Sequence, residues 1–207
     1  GIDLKKMIKI INYGLGNVNA FLNIYKSLGI DCEISSSFAS LKDASKLILP
    51  GVGSFDWAME KLTASGMREI INELVLEKKI PILGVCVGMQ IMANSSEEGD
   101  KKGLGWIKGK NIHLSKISNE KKKFPHMGWN QVEITNSLLF KDIINPKFYF
   151  LHSFYIDLED KKKAVGYANY GSKFPCAISQ NNIFGVQFHP EKSRKQGLQI
   201  ISNFINL

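Results

Sequence analysis

Ile80-Pro81-Ile82-Leu83 runs into Gly84-Val85-Cys86-Val87-Gly88-Met89-Gln90, and the reading of that stretch decides the fold. The apolar run reads as a buried strand and Met89-Gln90-Ile91-Met92-Ala93 as a helix, so the cysteine sits at a strand-to-helix turn between two glycines. That is the layout of a nucleophile elbow with sulfur in place of a serine oxygen. Such a turn strains the backbone of the nucleophile and requires small neighbours. It thrusts the side chain up at the carboxyl edge of a sheet. There the free N–H groups and positive dipole end of the new helix favour the thiolate, the reactive form.

On the N-terminal side of this turn, strands and helices alternate. Met7 to Asn12 reads as a strand, and Asn17 to Leu28 as a helix with Val18, Phe21, Leu22, Tyr25 and Leu28 at helical spacing, closed by Gly29. Asp31 to Ser35, Lys46 to Pro50 and Ile80 to Val85 read as further strands, Phe55 to Ala64 and Met67 to Lys78 as helices. This alternation implies a parallel sheet with both faces covered. From Gly109 onward short runs separated by turns take over: Asn111–Leu114, Asn130–Ile134, Phe148–His152, Ala164–Tyr170, Cys176–Ser179 and Ile183–His189. Asn181-Asn182 reads as a hairpin turn, and Lys195 to Ile205 as a closing helix. The expected architecture is one α/β domain over residues 7–207. It has an open, mainly parallel twisted sheet, flavodoxin-like, with helices on both faces and an antiparallel extension. Gly1 to Lys6 precede the first strand and are set aside as an extension.

With 44% hydrophobic and 22% charged residues in 207, the composition is that of an ordinary globular protein. No apolar run approaches the roughly 20 residues of a membrane span, and no secretory segment opens the chain, so no membrane partner is expected. Cys32, Cys86 and Cys176 are odd in number and far apart, which argues against a disulfide framework or a metal site and for a cytoplasmic setting. Cys32 and Cys176 have apolar neighbours and read as core thiols. The net charge of +8 raises the question of nucleic acid. The lysines, however, fall in short runs at turns (Lys101-Lys102, Lys121 to Lys123, Lys161 to Lys163) with no interleaved aromatics. They read as a solvated surface, with a docking face for an acidic partner protein as the second reading.

A thiolate needs a base, and the base an orienting acceptor. Of His113, His126, His152 and His189, the last is the best placed. It ends an apolar strand in Gly185-Val186-Gln187-Phe188-His189-Pro190-Glu191, where an open α/β sheet puts its ligands. Pro190 stiffens the link to Glu191, so that carboxylate can hold one imidazole nitrogen while the other faces sulfur. Cys86, His189 and Glu191 are therefore the expected catalytic triad. The N–H of Val87, next after the sulfur, is one expected oxyanion donor. The turn Pro50-Gly51-Val52-Gly53, at the end of another strand, is the expected source of a second.

Together, G-V-C-V-G-M-Q, P-G-V-G and F-H-P-E resemble the triad-type (class I) glutamine amidotransferases from about Met7 to Leu207. Pro125-His126-Met127-Gly128-Trp129-Asn130 and Tyr149-Phe150-Leu151-His152-Ser153 narrow the resemblance to the glutaminase subunits of imidazole glycerol phosphate synthase. The resemblance implies that Cys86 attacks the side-chain amide of L-glutamine, that His189 shuttles the proton and Glu191 holds His189, and that no cofactor or metal is used. It places Val52, Gly53 and Val87 at the oxyanion hole, with Val52 N–H turning inward on activation. It places Gly51, Gln90, Glu98, His152 and Ser153 around the substrate, with Glu98 on the α-ammonium. The implied partner is a (β/α)8-barrel cyclase subunit, joined in a heterodimer through Asn17, Trp129, Tyr149 and Lys192, to which ammonia is passed in histidine biosynthesis. Tyr13 to Asn17 reads as a tight strand-to-helix turn, with a phosphate cradle as the second reading.

Other readings stay open at this level. A paralogous glutaminase supplying ammonia for amidation of a surface-polysaccharide sugar would carry the same catalytic residues. A free-standing cysteine hydrolase and a basic nucleic-acid-binding module are further options. Gln90 and the P-H-M-G-W-N block speak against the hydrolase, and the lack of a reading motif speaks against the module.

Overall fold

The computed structural model describes residues 7–207; the reading of Gly1 to Lys6 as an extension lies outside the described residues. In chain order the elements are β1 (Ile8–Ile11), α1 (Val18–Ser27), β2 (Cys32–Ser35), α2 (Phe38–Leu41), β3 (Lys46–Leu49), α3 (Phe55–Ala64), α4 (Arg68–Asn72), β4 (Ile82–Val85), α5 (Val87–Gln90), β5 (Ser95–Ser96), β6 (Gly109–His113), β7 (His126–Gln131), β8 (Glu133–Ile134), β9 (Lys147–His152), β10 (Phe154–Leu158), β11 (Ala164–Asn169), β12 (Lys173–Gln180), β13 (Ile183–Val186) and α6 (Arg194–Ile205).

An eight-stranded sheet runs β2-β1-β3-β4-β13-β12-β11-β8. From β2 to β13 the neighbours are parallel, and from β13 to β8 antiparallel. The central strands are buried on both faces, which is why they read as continuous apolar runs rather than alternating ones. Two buried lysines interrupt these runs: the Lys9 ammonium on β1 is met by Glu33 at 2.5 Å and Asp43 at 3.3 Å, and that of Lys46 on β3 donates to Leu207 O. One face of the sheet packs Phe55, Met59, Leu62, Ile71 and Met92, and the other Phe21, Tyr25, Phe150, Phe188 and Phe204. Above the carboxyl edge lie a three-stranded sheet (β10-β6-β5) and the β7-β9 pair.

The mixed α/β architecture expected from the sequence is the one observed, and several boundaries differ. The span expected as one helix from Met67 to Lys78 is α4 followed by a wider π turn at Glu73–Glu77. Asn130–Ile134 is divided between β7 and β8, which belong to different sheets. β10 was not foreseen, because Phe154–Leu158 continues an apolar stretch in which only the break at Ser153 separates two strands. Asn181, at φ +55°, and Asn182 do form the hairpin turn, pairing Gln180 with Ile183.

Candidate active site

Register in the sheet brings the sequence motifs together. Leu49 on β3 lies beside Gly84 on β4, and Val85 on β4 beside Val186 on β13. The segments that follow these three adjacent parallel strands carry Gly51 to Gly53, Cys86 and His189, so they emerge along one rim. Cys86 has φ +56° and ψ −117°, a conformation that costs a non-glycine residue about 1–3 kcal/mol, and its N–H is tied to Val186 O at 2.9 Å. The flanking glycines are required by close approach. A Cβ on Gly88 would stand 2.0 Å from Leu49 O, and one on Gly84 2.9 Å from both Gly88 O and Met89 N. The Val87 N–H opens α5, where no preceding turn supplies an acceptor.

His189 and Glu191 are buried, with side chains 2% and 3% exposed, and Nδ1 meets Oε1 at 2.9 Å. The His189 backbone is anchored from both sides: its N–H donates to Tyr149 O at 2.9 Å, and its carbonyl accepts from the Ser193 hydroxyl at 2.5 Å. Nε2 is buried with no hydrogen-bond partner among the described residues. Burial alone would lower the imidazole pKa; the Cys86 sulfur and the Glu191 carboxylate more than reverse this and push it up to about 10. The geometry therefore favours an imidazolium between two groups that carry or develop negative charge. Cys86 Sγ itself lies 3.8 Å from Leu151 O and 3.7 Å from Gln187 Nε2, one an acceptor for the thiol and the other a donor to the thiolate.

The turn after β3 is held from below. Pro50 O accepts from the Tyr13 hydroxyl at 2.6 Å, and a Cβ on Gly51 would meet Val87 and that hydroxyl within 2.6 Å. Val52 is exposed and Gly53 has φ +136°. Gly16 packs on Pro50 and Gly51, so the Tyr13–Asn17 loop has a structural task as a tight turn. Glu98 Oε1 accepts the Phe55 N–H at 2.6 Å, which fastens its exposed loop to the start of α3 beside the turn.

Gln90 donates from Nε2 to Phe154 O at 3.2 Å and to Gln187 Oε1 at 3.0 Å. Both ring nitrogens of His152 are engaged within the protein, Nδ1 with Phe154 O at 2.8 Å and Nε2 with His126 Nδ1 at 2.9 Å. Ser153 is half-buried, and its carbonyl accepts from Leu114 N–H. Sequence reasoning missed Gln187 as a neighbour of the sulfur. The available signal was a glutamine inside the apolar run Val186-Gln187-Phe188, and it is fully buried here.

Asn17 is exposed and caps α1, accepting from Ala20 N–H at 3.1 Å. Trp129 is 41% exposed, with the Tyr149 ring 6.2 Å away edge-on and the Arg194 guanidinium over its face at 5.5 Å; Lys192 lies over Tyr149 at 6.0 Å. These four side chains form one cationic and aromatic patch on the rim side of the molecule, with Asn17 apart from their ring contacts. Cys176 is buried and Cys32 half-buried; burial raises the pKa of both thiols. Among the described residues, no helix is long and apolar enough to cross a membrane.

A cysteine elbow, a His–Glu pair and a glycine turn lie on adjacent strand ends, and comparison with known proteins gives the class of the chain. The family model "Glutamine amidotransferase class-I" matches residues 8–207, and the chain belongs to that family. Its relatives include the imidazole glycerol phosphate synthase subunit HisH of Leptospira borgpetersenii, 51% identical over 97% of this chain and 100% of that protein. HisH of Bdellovibrio bacteriovorus is 49% identical over 96% and 98%, and a HisH 2 of Pseudomonas aeruginosa 42% identical over 97% and 100%. The chain is thus a glutamine amidotransferase subunit of the HisH branch. Among solved structures, a glutamine amidotransferase superposes with a TM-score of 0.75 at 16% identity (96% of this chain, 97% of that one). PurLQS from Thermotoga maritima gives 0.73 at 18% identity, covering 98% of each chain. At such identities these structures speak for the fold.

Proposed function

We propose that this subunit hydrolyses L-glutamine through Cys86, His189 and Glu191 and passes the ammonia to a (β/α)8-barrel cyclase partner, as the glutaminase half of imidazole glycerol phosphate synthase in the cytoplasm. The observation that carries the reading is the adjacency of β3, β4 and β13, which sets the glycine turn, the sulfur and the imidazole on one rim.

In this mechanism His189 takes the Cys86 proton and Sγ attacks the side-chain amide carbon of glutamine. The oxygen of the tetrahedral intermediate is met by Val87 N–H and by the Val52–Gly53 turn. The C–N bond breaks as His189 returns the proton to the leaving nitrogen, releasing ammonia and leaving a γ-glutamyl thioester. Water, deprotonated by His189, attacks the thioester and frees glutamate and Cys86. Glu191 keeps the imidazole oriented and supports its positive charge. Glu98 and Gln90 hold the substrate amino acid, with backbone from Gly51, His152 and Ser153 around it. The exposure of Val52 suits a peptide that reorients when the partner docks on the Trp129–Tyr149–Lys192 patch and Asn17. One misplaced oxyanion donor costs about 3 kcal/mol, or 10²–10³ in rate, enough for a switch.

The test mixes the chain with a cyclase subunit from a HisH-bearing relative and follows glutamate release with and without the cyclase's ribonucleotide ligand. Activity at least 100-fold above that of the isolated chain is expected on ligand addition. Full-rate hydrolysis by the chain alone would sink the switch. Failure to restore growth to a strain lacking its own HisH would favour a different ammonia acceptor.

A further inference from the structure

Gln187 is wholly buried beside the sulfur, and the chemistry above gives it no task. It follows β13, with its backbone N–H on Cys176 O at 2.8 Å. Val186 and Phe188, on either side of it, pack in the aromatic core, whereas Gln187 and His189 both turn toward Cys86. An amide buried to this degree must be paired, and its partners decide which way round it sits. Phe154 O can only accept, so the Gln90 atom 3.2 Å from it is the amide nitrogen. That nitrogen carries a second hydrogen and lies 3.0 Å from the Gln187 amide, whose facing atom is therefore the oxygen Oε1. The other end of the same amide, Nε2, then faces Cys86 Sγ at 3.7 Å. Phe154 O on β10 thus fixes Gln90, Gln90 fixes Gln187, and Gln187 presents an N–H to the sulfur.

We propose that Gln187 is a further catalytic residue of this site, an N–H donor that holds the Cys86 thiolate, and that Gln90 is the positioning residue that aims it. The inference rests on the triad reading above. The thiol can donate to Leu151 O at 3.8 Å, but the thiolate has no hydrogen to give and can only accept. Ionisation therefore releases the Leu151 contact and strengthens the one from Gln187, because a hydrogen bond to a charged partner is about twice as strong as a neutral one. His189 moves a proton in every step, whereas the Gln187 amide has none to lose and donates throughout. The donor acts at both ends of the cycle. Before attack it favours the nucleophilic form of the sulfur. Once water has added to the thioester, the C–S bond breaks and its electron pair goes to Sγ. Gln187 N–H meets that charge until the imidazolium of His189 returns its proton to the sulfur.

Gln187→Met keeps the length and burial of the side chain and removes the N–H, while Gln90 stays held by Phe154 O. The pH profile of Cys86 alkylation by iodoacetamide is measured on the full chain. Its acid-side midpoint is expected to rise by about one unit in Gln187→Met, a tenfold change in the thiolate equilibrium. In the complex with the cyclase, kcat should fall by up to about tenfold on that acid side, with the KM for glutamine moving less than about twofold. Gln90→Met frees the Gln187 amide to turn over, so it should shift the alkylation midpoint in the same direction and add nothing in the Gln187→Met background. A full additional shift in the double variant would overturn the relay. A folded Gln187→Met with a lowered unfolding temperature and an unmoved midpoint would make Gln187 a packing residue and overturn the proposal. A further measurement needs no variant at position 187. In ¹⁵N-edited NMR of the wild-type chain, a Gln187 side-chain amide proton is expected to move with the alkylation midpoint and to stay put in Cys86→Ala. A flat wild-type signal would overturn the donor role whether or not Gln187→Met folds. Failure of the triad reading looks different: glutamate release by the complex would survive His189→Ala, while the alkylation shift in Gln187→Met would stand.

Discussion

The rim formed by the ends of β3, β4 and β13 and the antiparallel layer formed by β6, β7, β9 and β10 meet at Cys86, and they are built on opposite terms. On the rim each functional group is set by its immediate chain neighbours: a strained cysteine between glycines, and a histidine joined through a proline to its carboxylate. The layer acts at a distance and through main-chain carbonyls. Tyr149 O takes the His189 N–H, Leu151 O faces the Cys86 thiol, and Phe154 O takes the amide of Gln90. On the proposed mechanism the rim holds the reacting atoms, and the layer aligns them through its carbonyls. Damage to the rim should abolish chemistry; damage to the layer should tune it.

The strongest test of this division is Cys86→Ala, expected to lower glutamate release by the complex on the order of 10⁶-fold while the unfolding temperature stays put. An undiminished rate would end the rim's claim to the reaction. Glu191→Gln is next. It keeps the shape but removes the buried charge that holds up the His189 pKa, and a loss of about 10⁴ in kcat is expected from the analogous role in other triads. A loss below tenfold would mean that His189 is oriented by the layer, through Tyr149 O, rather than by its own neighbour.

Gly88→Ala tests whether the elbow is steric. Its Cβ would press on Leu49 O at 2.0 Å, so β3 and α5 must separate. Overpacking of this kind costs about 1–3 kcal/mol, roughly 2–12 °C in unfolding temperature for a chain of this size, and should also displace the Gly51 turn. Calorimetry showing no change would mean that the elbow relaxes freely.

The same contrast explains what could be read from the chain. The elbow, the P-G-V-G turn and H-P-E are local patterns whose geometry follows from glycine, proline and strand ends, and their sequence positions after apolar runs led to the sheet edge. β10 could not be separated from β9, because Phe148 to Leu158 is apolar almost throughout and the break is a single serine. Nor could the distant partners of His126 be read: Phe150 and His152 lie on β9 and Tyr170 just beyond β11, brought to it only by the tertiary fold. Gln187 stands inside the motif that ends in His189, yet its role depends on a neighbour 101 positions away.

Trp129→Ala probes the outer side of the layer. The ring is 41% exposed and touches Tyr149 and Arg194 rather than the core, so the isolated chain should lose no more than about 0.5 kcal/mol. If the patch receives the cyclase, truncating an aromatic anchor should weaken association by about 2 kcal/mol, roughly 30-fold in Kd, measured by titrating the partner. Unchanged affinity would move the docking face elsewhere.

The smallest effect separates the two regions by sign. His189 on the rim has its pKa raised to about 10, so the stability it contributes is complete below its unfolded value of about 6.5 and is lost as pH rises through 10. His126 and His152 in the layer are depressed to about 4 and 3, so their contribution is complete above about pH 6.5 and drains away as pH falls through those values. Thermal unfolding followed against pH should therefore show a flatter alkaline limb in His189→Gln and a flatter acid limb in His126→Phe/His152→Phe. If both variants flattened the same limb, the layer's histidines would be titrating together with the rim, and the division between reacting and aligning parts would fail at the point where they touch.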